Sequence, residues 1–163
     1  MAHGRPLSHS GMRTSGDQGG GVSKASLEFH DSRLASVVVG GYEAVLELAP
    51  AYVHHWVQRG GQWIGAGWSR RVTIRVATGS IRTPYPDGPA EVVDGSIVVG
   101  RDRHQGMTPI PFAALGETTV RLDLGNAQSV EVRGSGVVIE MSADGTWVED
   151  LPAEWAPVND GAA

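Results

Sequence analysis

Cysteine is missing altogether from this sequence, which excludes a disulfide scaffold, a thiolate zinc ribbon, an iron–sulfur site and a cysteine nucleophile. Long apolar runs are missing too. No window approaches the roughly 18 apolar residues of a membrane helix, and the N-terminus lacks the roughly 7–15-residue apolar stretch of a secretory signal. The expectation is a cytoplasmic protein with no membrane partner. Helical patterning is equally scarce: no stretch of about ten residues carries apolar side chains at helical spacing free of Pro and Gly. Pro111–Leu115 is read as one short helical turn at most.

Positive charge is in short supply, with 13 Lys and Arg against 18 Asp and Glu for a net charge of −5. It is also unevenly placed. Arg5, Arg13 and Lys24 against Asp17 make residues 1–24 net +2, which leaves −7 for the remainder of the −5 total. An acidic body argues against a nucleic-acid backbone as the main partner, because phosphate neutralisation needs clustered Lys or Arg. It suits a basic protein partner. Twelve of the 13 basic residues are arginine, which reads as the coding bias of a GC-rich bacterial genome.

What is present is an ordinary globular composition, 40% hydrophobic and 19% charged over 163 residues. That is the size of one domain, able to bury about two thirds of its unfolded surface. Residues 1–24 are rich in glycine and serine and nearly free of apolar side chains, so they are expected to be a disordered tail. Residues 25–151 form a single β domain in this reading, and 152–163 a flexible C-terminal tail.

From Ala25 onward short β-branched runs alternate with turn residues. Candidate strands are Ser26–Phe29, Leu34–Val39, Tyr42–Leu48, Tyr52–Val57, Arg70–Ala77, Glu91–Val93, Ser96–Val99, Thr118–Leu124, Ser129–Arg133, Val137–Ser142 and Thr146–Glu149. In Arg70–Ala77 the residues Val72, Ile74 and Val76 oppose Arg71, Thr73 and Arg75. Val120, Leu122 and Leu124 oppose Thr119, Arg121 and Asp123 in the same way, and Val130 and Val132 oppose Glu131 and Arg133. Such alternation marks antiparallel strands with one buried and one wet face. Asp94-Gly95, Asp144-Gly145, Gly40-Gly41, Gly125-Asn126 and Gly134-Ser135-Gly136 read as tight turns. Pro84 to Pro89 is a rigid turn that no strand crosses. The fold class is all-β: an antiparallel β-sandwich or a flattened β-barrel of about ten short strands, two solutions that obey one alternation rule.

Three groups of residues carry candidate chemistry. In Glu28-Phe29-His30-Asp31-Ser32, His30 reads as a base oriented by Asp31 with Ser32 beside it, or else Asp31 and Ser32 form a side-chain-capped turn. His54 and His55 are adjacent on a strand and project to opposite faces, so they cannot readily chelate one metal. No metal-ligand spacing is present, and neither a metal nor a cofactor is expected. Arg59 to Trp68, RGGQWIGAGW, reads as a glycine-rich loop whose Arg59, Trp63 and Trp68, with nearby Trp56, supply anchors for a partner or ligand. The opposing reading folds these tryptophans back to plug the barrel end. Glu149, Asp150 and Glu154 form an acidic rim beside Trp147 and Trp155.

The run Leu27-Glu28-Phe29-His30-Asp31-Ser32-Arg33-Leu34, followed by two strands ending near Tyr52-Val53-His54, resembles small uncharacterised bacterial β proteins that open on an FHDS segment. Some of these are similar to immunity proteins of polymorphic toxin systems. The resemblance implies an all-β bacterial domain that binds a protein partner, and it brings no catalytic residues. The functional expectation is therefore a non-enzymatic binding domain facing a basic, toxin-like partner. The alternative is a small-ligand or metal-binding β-barrel, an enzyme included, using His30, Asp31 and His54 or His55.

Overall fold

The computed structural model describes residues 21–158, and almost every element in it is a strand. In chain order these are β1 Ser23–Glu28, β2 Ser32–Val39, β3 Glu43–Arg59, β4 Gln62–Ala77, β5 Ser80–Ile81, β6 Ala90–Val99, β7 Asp102–Gln105, β8 Met107–Ile110, β9 Phe112–Leu124 and β10 Ser129–Asp150. One 3₁₀ turn, Ala153–Trp155, follows. Among the described residues no helix is long and apolar enough to cross a membrane.

All the pairings are antiparallel, and they close on themselves. β2 pairs with β6, β6 with β9, β9 with β10, β10 with β4, β4 with β3, and β3 again with β2. A ring of six strands leaves the body without a sheet edge, the hazard that a string of short strands has to solve. β1 prolongs the line of β2 along β3, since Glu28 faces Tyr52 while Leu34 faces Leu48. β8 adds to the outer side of β1.

The alternation read from the sequence is the alternation that is built. Val72, Ile74 and Val76 from β4, Val120, Leu122 and Leu124 from β9, and Val130 and Val132 from β10 all enter one core with Leu46, Leu48, Ile97 and Ile139. The turns at Gly40-Gly41 and Gly125-Asn126 stand between strands, and Pro84 to Pro89 runs outside the sheet.

Other expectations need correction. Tyr42–Leu48 and Tyr52–Val57 merge into one long strand, β3, which begins at Glu43 and whose register slips between Leu48 and Ala51. Asp94-Gly95, Gly134 to Gly136 and Asp144-Gly145 are not hairpins. Each lies inside a strand, at a register break opposite β9, β9 and β4 respectively. The chemistry that lets a chain reverse also lets it bulge, and only the neighbouring strands decide between the two. A Cβ at Gly95 would lie 2.5 Å from the Phe29 ring, so that glycine makes room for a core aromatic. Pro111–Leu115 contains no helical turn, because β9 already begins at Phe112.

The expected Gly/Trp loop is a strand as well. Gly60 and Gly61, with φ of +56° and +79°, form a two-residue turn, and β4 starts at Gln62. Both positions demand positive φ, which glycine adopts without steric cost. Residues 1–20 of the expected tail lie outside the described residues, whereas Ser23 and Lys24 already pair in β1. At the other end, part of the expected C-terminal tail folds into the 3₁₀ turn.

Candidate functional site

Beyond the closed ring, the distal halves of β3, β4 and β10 continue as a sheet flanked by β1. Val53 of β3 enters the core, so its neighbours Tyr52 and His54 project to the outside by strand alternation. Cross-strand partners share a face. Glu28 faces Tyr52, and both His54 and Glu149 face Gly67, which brings residues from β1, β3 and β10 onto one surface.

Gly67 is what allows the rings to lie there. A Cβ on it would fall 2.2 Å from the Tyr52 hydroxyl oxygen, and one on Gly65 would fall 2.5 Å from the Trp56 ring. Glycine in a strand is thus paired with an aromatic that covers it, a known remedy for the weakness of strand glycine.

His54 is buried despite its outward position. Trp155, brought back by the 3₁₀ turn, stacks parallel to it with centroids 6.2 Å apart, and Tyr52 meets it edge-on at 5.3 Å. The His54 Nε2 stands 2.6 Å from Glu28 Oε2. Tyr52 donates its hydroxyl to Glu149 Oε1 at 2.5 Å. Burial first, then this bond and the charge of Glu149, push the Tyr52 pKa well above its ordinary value, since both disfavour a second negative charge. Ser32 anchors the arrangement from below. Its hydroxyl donates to the Glu28 carbonyl at 2.8 Å and accepts the Tyr52 N–H at 3.0 Å, so its bonding capacity is spent on holding β1 against β3.

These groups surround a cleft of about 580 Å³. Glu28, Asp31 and Glu149 supply carboxylates; Tyr52, His54 and Trp155 supply rings; Met107 and Val148 complete the apolar wall. Among the described residues no Lys or Arg pairs with the three carboxylates; their partners are His54, His30 and Tyr52. On the barrel body several carboxylates do find arginine, as in Arg75–Glu43, Arg121–Asp123 and Arg133–Glu131. The cleft is accordingly an acidic, aromatic-walled recess.

Of the residues singled out in the sequence, His54 and Asp31 line this recess. His30 does not line it; the ring is exposed and pairs with Asp31, at 3.0 Å. Ser32 is buried and structurally committed, so no nucleophile–base–acid arrangement forms at FHDS. His55 points the other way, as strand geometry requires, and burial together with Arg70 lowers its pKa. Trp56 is buried over Gly65 and presents no surface to a partner. Trp63 and Trp68 are half-buried on β4, the first beneath Lys24 Nζ at 5.5 Å and the second beneath the Arg70 guanidinium at 5.1 Å. Arg59 is exposed at the end of β3. The exposed indoles are instead Trp147 and Trp155. Among the described residues no three His, Asp or Glu side chains gather to hold a metal.

Tyr52, Met107 and Val148 are members of the site that the sequence did not point to. Glu28 was visible as the head of the FHDS run, and Glu149 with Trp155 as the acidic rim, but nothing local joins them. No protein-family model matches the chain, and no curated protein or solved structure shows significant similarity to it.

Proposed function

We propose that this chain is a non-enzymatic binding domain that seats a cationic group of a basic, toxin-like protein partner, in the manner of a cytoplasmic bacterial immunity protein. The observation that carries this reading is the recess itself: three carboxylates without a Lys or Arg partner among the described residues, walled by Tyr52, His54 and Trp155. A Lys or Arg side chain entering it gains Coulombic attraction from the carboxylates and a cation–π contact of about 0.5–2 kcal/mol from the rings. Buried aromatic and arginine contacts of this kind dominate interface energies. The acidic body lends long-range steering toward a basic partner.

The test is native mass spectrometry of the protein isolated gently from its source cells, followed by calorimetry on any complex found. One basic protein at fixed stoichiometry is expected. The double variant Glu28→Gln, Glu149→Gln keeps the hydrogen-bond acceptors and removes the charge, and should weaken that complex by about tenfold or more, the worth of one charge-assisted contact. A bare chain, or a complex indifferent to the double variant, overturns the proposal.

One observation favours a second reading. His54 held against Glu28 beside an open cleft is a histidine oriented by a carboxylate, the arrangement a general base requires. A small-ligand barrel of this kind, with Asp31 in its wall, predicts a small molecule in place of a protein in the same spectrum, and its loss on His54→Ala.

A further inference from the structure

A second cleft, of about 560 Å³, lies where two register breaks flank the same residue of β4. On one side β3 carries Ala49 and Pro50 against the single residue Arg71, between the pairs Leu48–Val72 and Ala51–Arg70. On the other side β10 carries Ser142, Ala143 and Asp144 against that residue, between Met141–Val72 and Gly145–Arg70. The sheet therefore opens on both flanks of Arg71 at one level. Arg70, Arg71, Ser69 and Thr146 are among the residues that line this opening.

Arg70 is the one arginine of the described residues that is not exposed. Its guanidinium lies over the Trp68 ring, and its Nη1 donates to the carbonyls of Ser142 and Ala143 at 2.9 and 2.6 Å. Among the described residues it has no carboxylate partner. Its Nε is buried without an acceptor, and Nη2 makes no bond among the described residues. A cation partly withdrawn from water without a counter-charge is costly, and an arriving anion removes that cost. Arg71 adds a second guanidinium, held only loosely by Glu47 at 3.7 Å. Ser69 and Thr146, which face one another across β4 and β10, add two hydroxyls.

We propose that this cleft is an oxyanion site for a phosphate group, bound between Arg70 and Arg71 with the Ser69 and Thr146 hydroxyls as further donors. Two planar guanidiniums and two hydroxyls match the several acceptor oxygens and the double charge of a phosphate better than a single carboxylate. Asp144 also lines the cleft, and its negative charge opposes an anion, so the two guanidiniums have to outweigh it. The site is independent of the acidic recess and its ligand.

The experiment is an amide NMR titration of the full chain with inorganic phosphate and, separately, with phenyl phosphate, at constant ionic strength. Saturable shifts confined to residues 69–71 and 142–146 are expected. Arg71→Gln, an exposed change that leaves the Arg70 contacts with β10 in place, should weaken binding by about tenfold or more. Tighter binding of phenyl phosphate identifies a phosphate monoester as the ligand, and equal binding identifies the free anion. No saturation, shifts elsewhere, or an unchanged affinity in Arg71→Gln overturns the proposal and leaves Arg70 as a clamp on the β10 register break alone.

Discussion

Tyr52 keeps its proton because burial and the Glu149 carboxylate both oppose phenolate formation. Its pKa in the fold therefore stands above the unfolded value of about 10. A raised pKa means that the unfolded chain gives up the proton first, so the stabilisation is complete below about pH 10 and is lost as pH climbs past it. Tyr52→Phe has no proton to lose. Urea denaturation should show its stability falling less between about pH 9 and pH 11 than that of the wild type; equal slopes would sink the argument. His55 acts in the opposite sense. Burial, then Arg70, lowers its pKa, so the unfolded chain takes up the proton first. Stability is thus full above about pH 6.5 and declines as the solution is acidified below it. His55→Gln should remove that acid limb.

At the scale of elements, the β3–β4 hairpin and its extension decide the site. Trp56 faces Gly65, His54 faces Gly67, and the Tyr52 ring reaches over Gly67. Sequence shows the aromatics and the glycines as separate features, and the glycines there suggest a loop. Their joint meaning appears only when the strands are set side by side. Gly67→Ala would place a methyl 2.2 Å from the Tyr52 oxygen. Expelling the ring should cost about 1–3 kcal/mol, as overpacking usually does, and should break the Tyr52–Glu149 bond. Gly41→Ala, with open space around it, should stay within about 0.5 kcal/mol of the wild type. Chemical denaturation of both variants checks the contrast, and an undisturbed Gly67→Ala would refute the packing account.

The whole molecule is a ring of six strands around one core. Leu122 on β9 is fully buried in it, between β6 on one side and β10 on the other. Leu122→Ala leaves a cavity that the ring cannot collapse to fill, and should cost about 2–5 kcal/mol in a single cooperative transition. Thermal or urea unfolding measures this directly; a loss under about 1 kcal/mol would mean a loosely packed interior. At the same scale, the mild net acidity of the chain resolves into two recesses of opposite character: carboxylates around His54, and arginines where the register breaks of β3 and β10 flank β4.

Sequence alone determined the all-β class and which residues of β4, β9 and the first half of β10 face inward, because alternation of apolar and polar side chains is a property of one strand and needs no partner. It also placed His54 and His55 on opposite faces for the same reason. Tertiary structure decided where strands continue through Asp94-Gly95, Gly134 to Gly136 and Asp144-Gly145, since a turn and a bulge use the same residues and differ only in what lies alongside. It decided the closure of β3 onto β2, which no local pattern encodes. And it brought Glu28, Tyr52, His54, Glu149 and Trp155 to one recess, because residues from four separate segments meet only when the register of every strand between them is set.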